Sequence, residues 1–110
     1  MVYPVQITDC GYGFSLFLPV QELIRPTYEI RVSENAQGPF PFWAKVWPSC
    51  LALTKYLAEN IEKVRGKKVL EIGAGTGLPS FAIASSADSV IISDHSMDAV
   101  ELMEIAMFIE

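Results

Sequence analysis

Val69-Leu70-Glu71-Ile72-Gly73-Ala74-Gly75-Thr76-Gly77-Leu78-Pro79 joins a strand pattern, a glycine loop and a helix start in eleven residues. Val69, Leu70 and Ile72 form a short apolar run with β-branched ends, which predicts a parallel strand covered on both faces, stopped by Gly73. Glycine at every second position lets the backbone take torsions closed to other residues and lets a ligand approach the main chain. Pro79 suits the first turn of a helix, where its missing N–H costs nothing, and Phe81-Ala82-Ile83-Ala84 continues apolar. The order is strand, loop, helix. Free N–H groups at such a helix start carry partial positive charge and suit an anionic or carboxylate-bearing ligand.

Spacing separates the ligand classes that use such loops. A dinucleotide fingerprint, G-x-G-x-x-G, requires glycine at position 78, where this chain has Leu78. A Walker loop requires Lys and then Ser or Thr after its last glycine, where Leu78-Pro79 follow Gly77. An acidic residue two before the first of three alternating glycines resembles motif I of the class I S-adenosylmethionine-dependent methyltransferases, and the match runs from Val69 through Gly77. The resemblance implies S-adenosylmethionine as cofactor, with its methionine part held by the loop backbone. A glycine turn of some other α/β domain is the competing reading.

Pro41-Phe42-Trp43-Ala44-Lys45-Val46-Trp47-Pro48-Ser49-Cys50 is the second informative stretch. Two tryptophans and a phenylalanine ahead of a helix exceed what a connection needs, so they are expected to cover something. The segment resembles the W-A-x-V-W-P-S entry of the seven-β-strand protein lysine methyltransferases and their small-molecule relatives. That resemblance lays Trp47 against the cofactor pocket and suggests a protein lysine amine as methyl acceptor. Trp43 is equally compatible with core packing. Ser49 is the expected cap of a helix whose apolar stripe is Leu53, Tyr56, Leu57, Ile61 and Val64, ended by Gly66.

The chain has 110 residues, half of them hydrophobic, and a formal charge of −5, which suits one globular domain or less. With no basic cluster, nucleic acid is not expected as a partner, while a cationic substrate is compatible. Cys10 and Cys50 lack metal or CxxC spacing, so free thiols in a reducing compartment are expected, and neither is given chemistry. No stretch reaches the roughly 18 to 20 apolar residues of a membrane span. A cytoplasmic protein is expected.

Val2–Ile7 and Phe14–Val20, separated by Asp9-Cys10-Gly11-Tyr12-Gly13, predict a β-hairpin. Tyr28-Glu29-Ile30-Arg31-Val32 alternates and predicts a third antiparallel strand. Ser33 to Pro41 is the expected linker, which divides the chain into a β extension at 1–38 and an α/β part at 39–110. After the glycine loop a helix to about Ser86 leads to a second parallel strand, Ser89–Ser93, ending in Asp94. This is a βαβ unit, whose ligands bind at the carboxyl ends of its strands. Asp94 is placed to accept hydrogen bonds from vicinal ribose hydroxyls, its role in the family resembled; the competing role is capping the next helix, which Ser96 can also fill. His95 is read as a neighbour of the adenine or a solvated loop residue, without a catalytic role. Met97 to Glu110 has helical spacing through Val100, Met103 and Met107.

The fold class expected is therefore α/β, a partial Rossmann-like sheet preceded by an antiparallel β segment. The cofactor residues expected are Trp47, Glu71, Gly73, Gly75, Gly77 and Asp94, with Glu71 orienting the loop and placed to meet the cofactor's ammonium. The seven-stranded fold resembled continues beyond a second strand and its helix, so a truncated, split or partner-completed chain is expected, with an exposed sheet edge that invites pairing with itself or another chain. The methyl acceptor is expected to be a protein or a small molecule. Rival classes are a nicotinamide-dependent oxidoreductase and a non-catalytic interaction module.

Overall fold

The computed structural model describes residues 3–36 and 38–106. Val2 of the expected hairpin, and Met107, Phe108 and Ile109 of the expected last helix, lie outside the described residues. The order is β1 (Val5–Asp9), β2 (Ser15–Pro19), α1 (Ile24–Ser33), α2 (Pro48–Glu59), β3 (Lys68–Glu71), α3 (Leu78–Ile83), β4 (Ser89–Ile92) and α4 (Met97–Ala106). This mixed α/β arrangement agrees with the class expected.

β1 and β2 form the hairpin, in antiparallel register from Val5 opposite Pro19 to Asp9 opposite Ser15. Its turn is closed by Asp9, whose Oδ1 accepts from the Gly11 N–H at 2.9 Å, and by the Cys10 N–H donating to the Phe14 carbonyl at 3.0 Å. Leu16 and Leu18 of β2 are buried in one cluster with Leu78 and Ala106, so the hairpin lies against the α/β part instead of standing apart from it.

Tyr28–Val32, expected as a strand, is part of the helix α1. The residues it turns inward are Ile24, Thr27, Tyr28 and Arg31, a three-and-four spacing with mixed polarity, while Ile30 and Val32 face solvent. Pro26 falls in the first turn, where a proline is tolerated. Tyr28 meets Phe40 edge-on, with centroids 5.0 Å apart, and the Arg31 guanidinium lies 6.0 Å from the Tyr3 ring centroid.

β3 and β4 pair in parallel, Lys68 opposite Ser89 through Glu71 opposite Ile92. Gly77, with φ 78°, precedes α3, and Pro79 lies in the first turn. The expected coverage of both sheet faces is met on one side only. Ile92 packs on Ala74, Ala99 and Met103, whereas Leu70, Ile72 and Ile91 on the opposite face are 58%, 79% and 66% exposed. Among the described residues nothing covers that second face, although parallel sheets are ordinarily buried on both sides.

Ser49 is not the cap of α2. The helix begins at Pro48, with extended Trp47 as the preceding residue and no side-chain cap. Its inward positions include Cys50, Thr54 and Leu57, so Leu53 and Tyr56 of the expected stripe stay exposed. The helix also stops earlier than the pattern suggests, at Glu59, followed by a tighter turn at Ile61–Lys63.

Candidate functional site

A cleft of about 430 Å³ opens at the carboxyl ends of β3 and β4, and its walls include Trp47, Glu71, Gly73, Gly75 and Asp94. Five of the six residues expected to hold a cofactor thus share one space. That volume lies within the range typical of small-molecule sites. Lys45, Phe42, Trp43, Cys50 and His95 also line it.

Asp94 ties the two strand ends together. Its Oδ2 accepts from the Gly75 N–H at 2.8 Å and its Oδ1 from the Ser96 N–H at 2.8 Å. The side chain is only 5% exposed. Each carboxylate oxygen has a second acceptor position, so the group keeps hydrogen-bonding capacity at the cleft wall. Ser96 takes the capping job instead, its Oγ accepting from the Ala99 N–H at 3.4 Å. His95 stands fully in solvent beside Asp94, with Nδ1 3.6 Å from Oδ1.

The glycines divide the work. A Cβ on Gly75 would stand 2.9 Å from the Trp43 carbonyl oxygen, so that close approach requires a glycine. A Cβ on Gly77 would meet Phe81 at 2.9 Å and Met103 Sδ at 3.0 Å, so Gly77 faces the core and is not a wall of the cleft. Gly73 borders the cleft, and a Cβ there would meet nothing within 4 Å.

Glu71 is held by the Ser80 hydroxyl, which donates to Oε1 at 2.5 Å. Burial pushes its carboxyl above the usual 4.5, against the opposing pull of Ser80's hydroxyl and main chain. A carboxylate short of compensation suits an incoming ammonium. Burial also raises the Cys50 thiol, with the nearby Glu71 charge adding to it, which keeps the sulfur protonated and unreactive.

Trp47 is fixed by its own loop: Nε1 donates to the Phe42 carbonyl at 3.0 Å, and the ring stacks on Phe42 with centroids 6.3 Å apart. Trp43 packs half-buried on the Ala74, Ala99 and Met103 cluster while also lining the cleft, so it both packs and forms a wall. Sequence reasoning flagged this aromatic segment but passed over Lys45 within it and Ser80 behind Glu71. Ser80 carried no readable signal, because its pairing with Glu71 exists only once α3 folds back beside β3.

The lysine methyltransferase family model matches residues 26–109. The electron transfer flavoprotein beta subunit lysine methyltransferase of Rattus norvegicus is 39% identical over 67 residues, covering 61% of this chain and 26% of its own length. The EEF1A lysine methyltransferase 3 of Xenopus tropicalis is 27% identical over 106 residues, covering 84% of this chain and 47% of its own length. A third relative, the histone-arginine methyltransferase METTL23 of Mus musculus, is 36% identical over 78 residues, covering 71% of this chain and 30% of its own length. The chain spans about a quarter of the length of the first of these. With a family match from α1 to the end of α4, and a glycine loop joined to an acidic strand end, the chain belongs to the lysine methyltransferase family.

Proposed function

We propose that this chain forms the S-adenosylmethionine-binding part of a methyltransferase whose acceptor is a protein nitrogen, a lysine amine in the first instance. The observation that carries this reading is the junction of Asp94 with the Gly75 N–H beside a cleft walled by Trp47, Glu71 and Gly73. The donor set fits the cofactor. Gly73 borders the cleft with open space beside its main chain, the partly buried Glu71 has no compensating cation among the described residues, and Asp94 retains acceptor capacity for ribose hydroxyls. When bound, S-adenosylmethionine supplies an electrophilic methyl group on a sulfonium. The residues here do the positioning: Glu71 holds the ammonium end, Asp94 the sugar, and Trp47 closes one side against water. Such methyl transfer is favoured by alignment and exclusion of solvent more than by covalent assistance from the protein.

Lysine as acceptor is supported by what the relatives are named for, electron transfer flavoprotein beta subunit and EEF1A among them. Arginine is the alternative that the histone-arginine relative keeps in view. The division into an extension at 1–38 laid upon a methyltransferase part at 39–110 belongs to the same proposal, as does a cytoplasmic setting, which the two free cysteines support. No helix among the described residues is long and apolar enough to cross a membrane.

Ultraviolet cross-linking with methyl-labelled S-adenosylmethionine, followed by peptide mapping, tests the reading. Label is expected on peptides containing Trp47 or residues 73–77, and S-adenosylhomocysteine should compete it away. Label that NAD displaces and S-adenosylhomocysteine does not would contradict it.

A further inference from the structure

Lys45 is the one lysine or arginine among the described residues lining the cleft, which it shares with the carboxylates of Glu71 and Asp94. Its ammonium lies 4.2 Å from the centroid of the Trp47 ring. Trp47 is in turn bonded and stacked to Phe42. The backbone on either side of Lys45 is clamped as well: the Gln21 side-chain amide donates to the Ala44 carbonyl at 3.0 Å and accepts from the Val46 N–H at 2.9 Å. A residue from the end of the hairpin thus fixes the loop that presents the lysine. Among the described residues no carboxylate lies within ion-pair distance of the Lys45 ammonium. Glu71 is engaged by Ser80, and Asp94 by the Gly75 and Ser96 amides.

An unpaired cation and an under-compensated carboxylate facing one cleft are the complement of an amino-acid zwitterion. We propose that Lys45, steadied by Trp47 and the Gln21 clamp, binds the carboxylate of an amino-acid-tailed nucleoside and so makes the site selective for ligands that carry that tail. The assignment rests on the cofactor reading above. Glu71 takes the tail's ammonium and Lys45 its carboxylate, at opposite ends of one recognition unit. Gln21 is a positioning residue that acts through the 44–46 backbone.

Calorimetric titration of the 110-residue chain with S-adenosylhomocysteine and with 5′-methylthioadenosine tests this, because the two share nucleoside and thioether and differ in the amino-acid tail. Lys45→Met should weaken S-adenosylhomocysteine about twofold to fivefold, the range of an exposed ion pair, and leave 5′-methylthioadenosine unchanged. Lys45→Arg should restore most of the loss, and added salt should narrow the gap between wild type and Lys45→Met. Gln21→Ala should weaken the tailed ligand selectively, by less than Lys45→Met. Equal loss for both ligands would show that Lys45 merely packs on Trp47, and loss for neither would show that it does not touch the ligand; either overturns the proposal. Failure of wild type to bind either ligand overturns the cofactor reading itself, a result distinct from those two.

Discussion

Asp94 accepts from two main-chain amides, Gly75 and Ser96, so its carboxylate shapes the site as well as lining it. Asp94→Ala should therefore lose affinity for S-adenosylmethionine by about tenfold or more and also lose about 1–3 kcal/mol of stability, the cost of unmaking buried charge-assisted hydrogen bonds. Asp94→Asn, which keeps one acceptor oxygen, should recover stability more than affinity; calorimetry and urea unfolding separate the two. The glycines make a second contrast. Gly73→Ala bears the strain of a left-handed backbone at φ 66° but meets no atom within 4 Å, so it should cost about 1–2 kcal/mol of stability while obstructing the ligand. Gly77→Ala drives a methyl into Phe81 and Met103 and should lose more stability than Gly73→Ala, with less direct effect on binding. Glu71 gives a pH signature. Its carboxyl is raised on folding, so stability present below the usual 4.5 is lost as pH rises through the folded value. Glu71→Gln should lack that loss and melt no lower than wild type at neutral pH, yet bind S-adenosylmethionine more weakly. Glu71, Gly73, Gly75 and Asp94, which the sequence groups by spacing alone, do line one cleft. The sequence was silent where a partner arrives through the fold, as with Ser80 behind Glu71 and Gln21 beside Lys45.

Among the elements, the hairpin, β3, α3, β4 and α4 follow from turn chemistry and apolar runs, and α1 does not. Ile30 and Val32 alternate with Glu29 and Arg31, but five residues are too few for alternation to outweigh helical packing. The face α1 turns inward is Ile24, Thr27, Tyr28 and Arg31, whose polarity hides the helical period. Helix α2 misleads in a related way, because its apolar Leu53 and Tyr56 remain exposed while Thr54 is buried and bonds the Cys50 carbonyl at 2.8 Å. Strand composition predicted two covered faces, whereas the sheet covers one. The difference is measurable: Ile91→Thr on the open face should change stability by less than about 0.5 kcal/mol, while Ile92→Ala, which leaves a gap against Ala99 and Met103, should cost about 2 kcal/mol in urea unfolding.

Across the whole molecule, the hairpin, the aromatic loop and the glycine turn converge. β2 lies in the cluster with Leu78 at the start of α3, Gln21 holds the 44–46 loop, and the Trp43 carbonyl rests over Gly75. A segment that sequence composition sets apart as an extension therefore helps to build the cleft. In the function proposed above, this cleft takes an S-adenosylmethionine-type ligand through Asp94 and the glycine loop. Parallel calorimetric titrations of S-adenosylmethionine and NAD into the wild-type chain and Asp94→Ala test it most directly. S-adenosylmethionine should bind wild type, Asp94→Ala should weaken it by about tenfold or more, and NAD should not compete. Preferential binding of NAD, or an S-adenosylmethionine affinity untouched by Asp94→Ala, would contradict it.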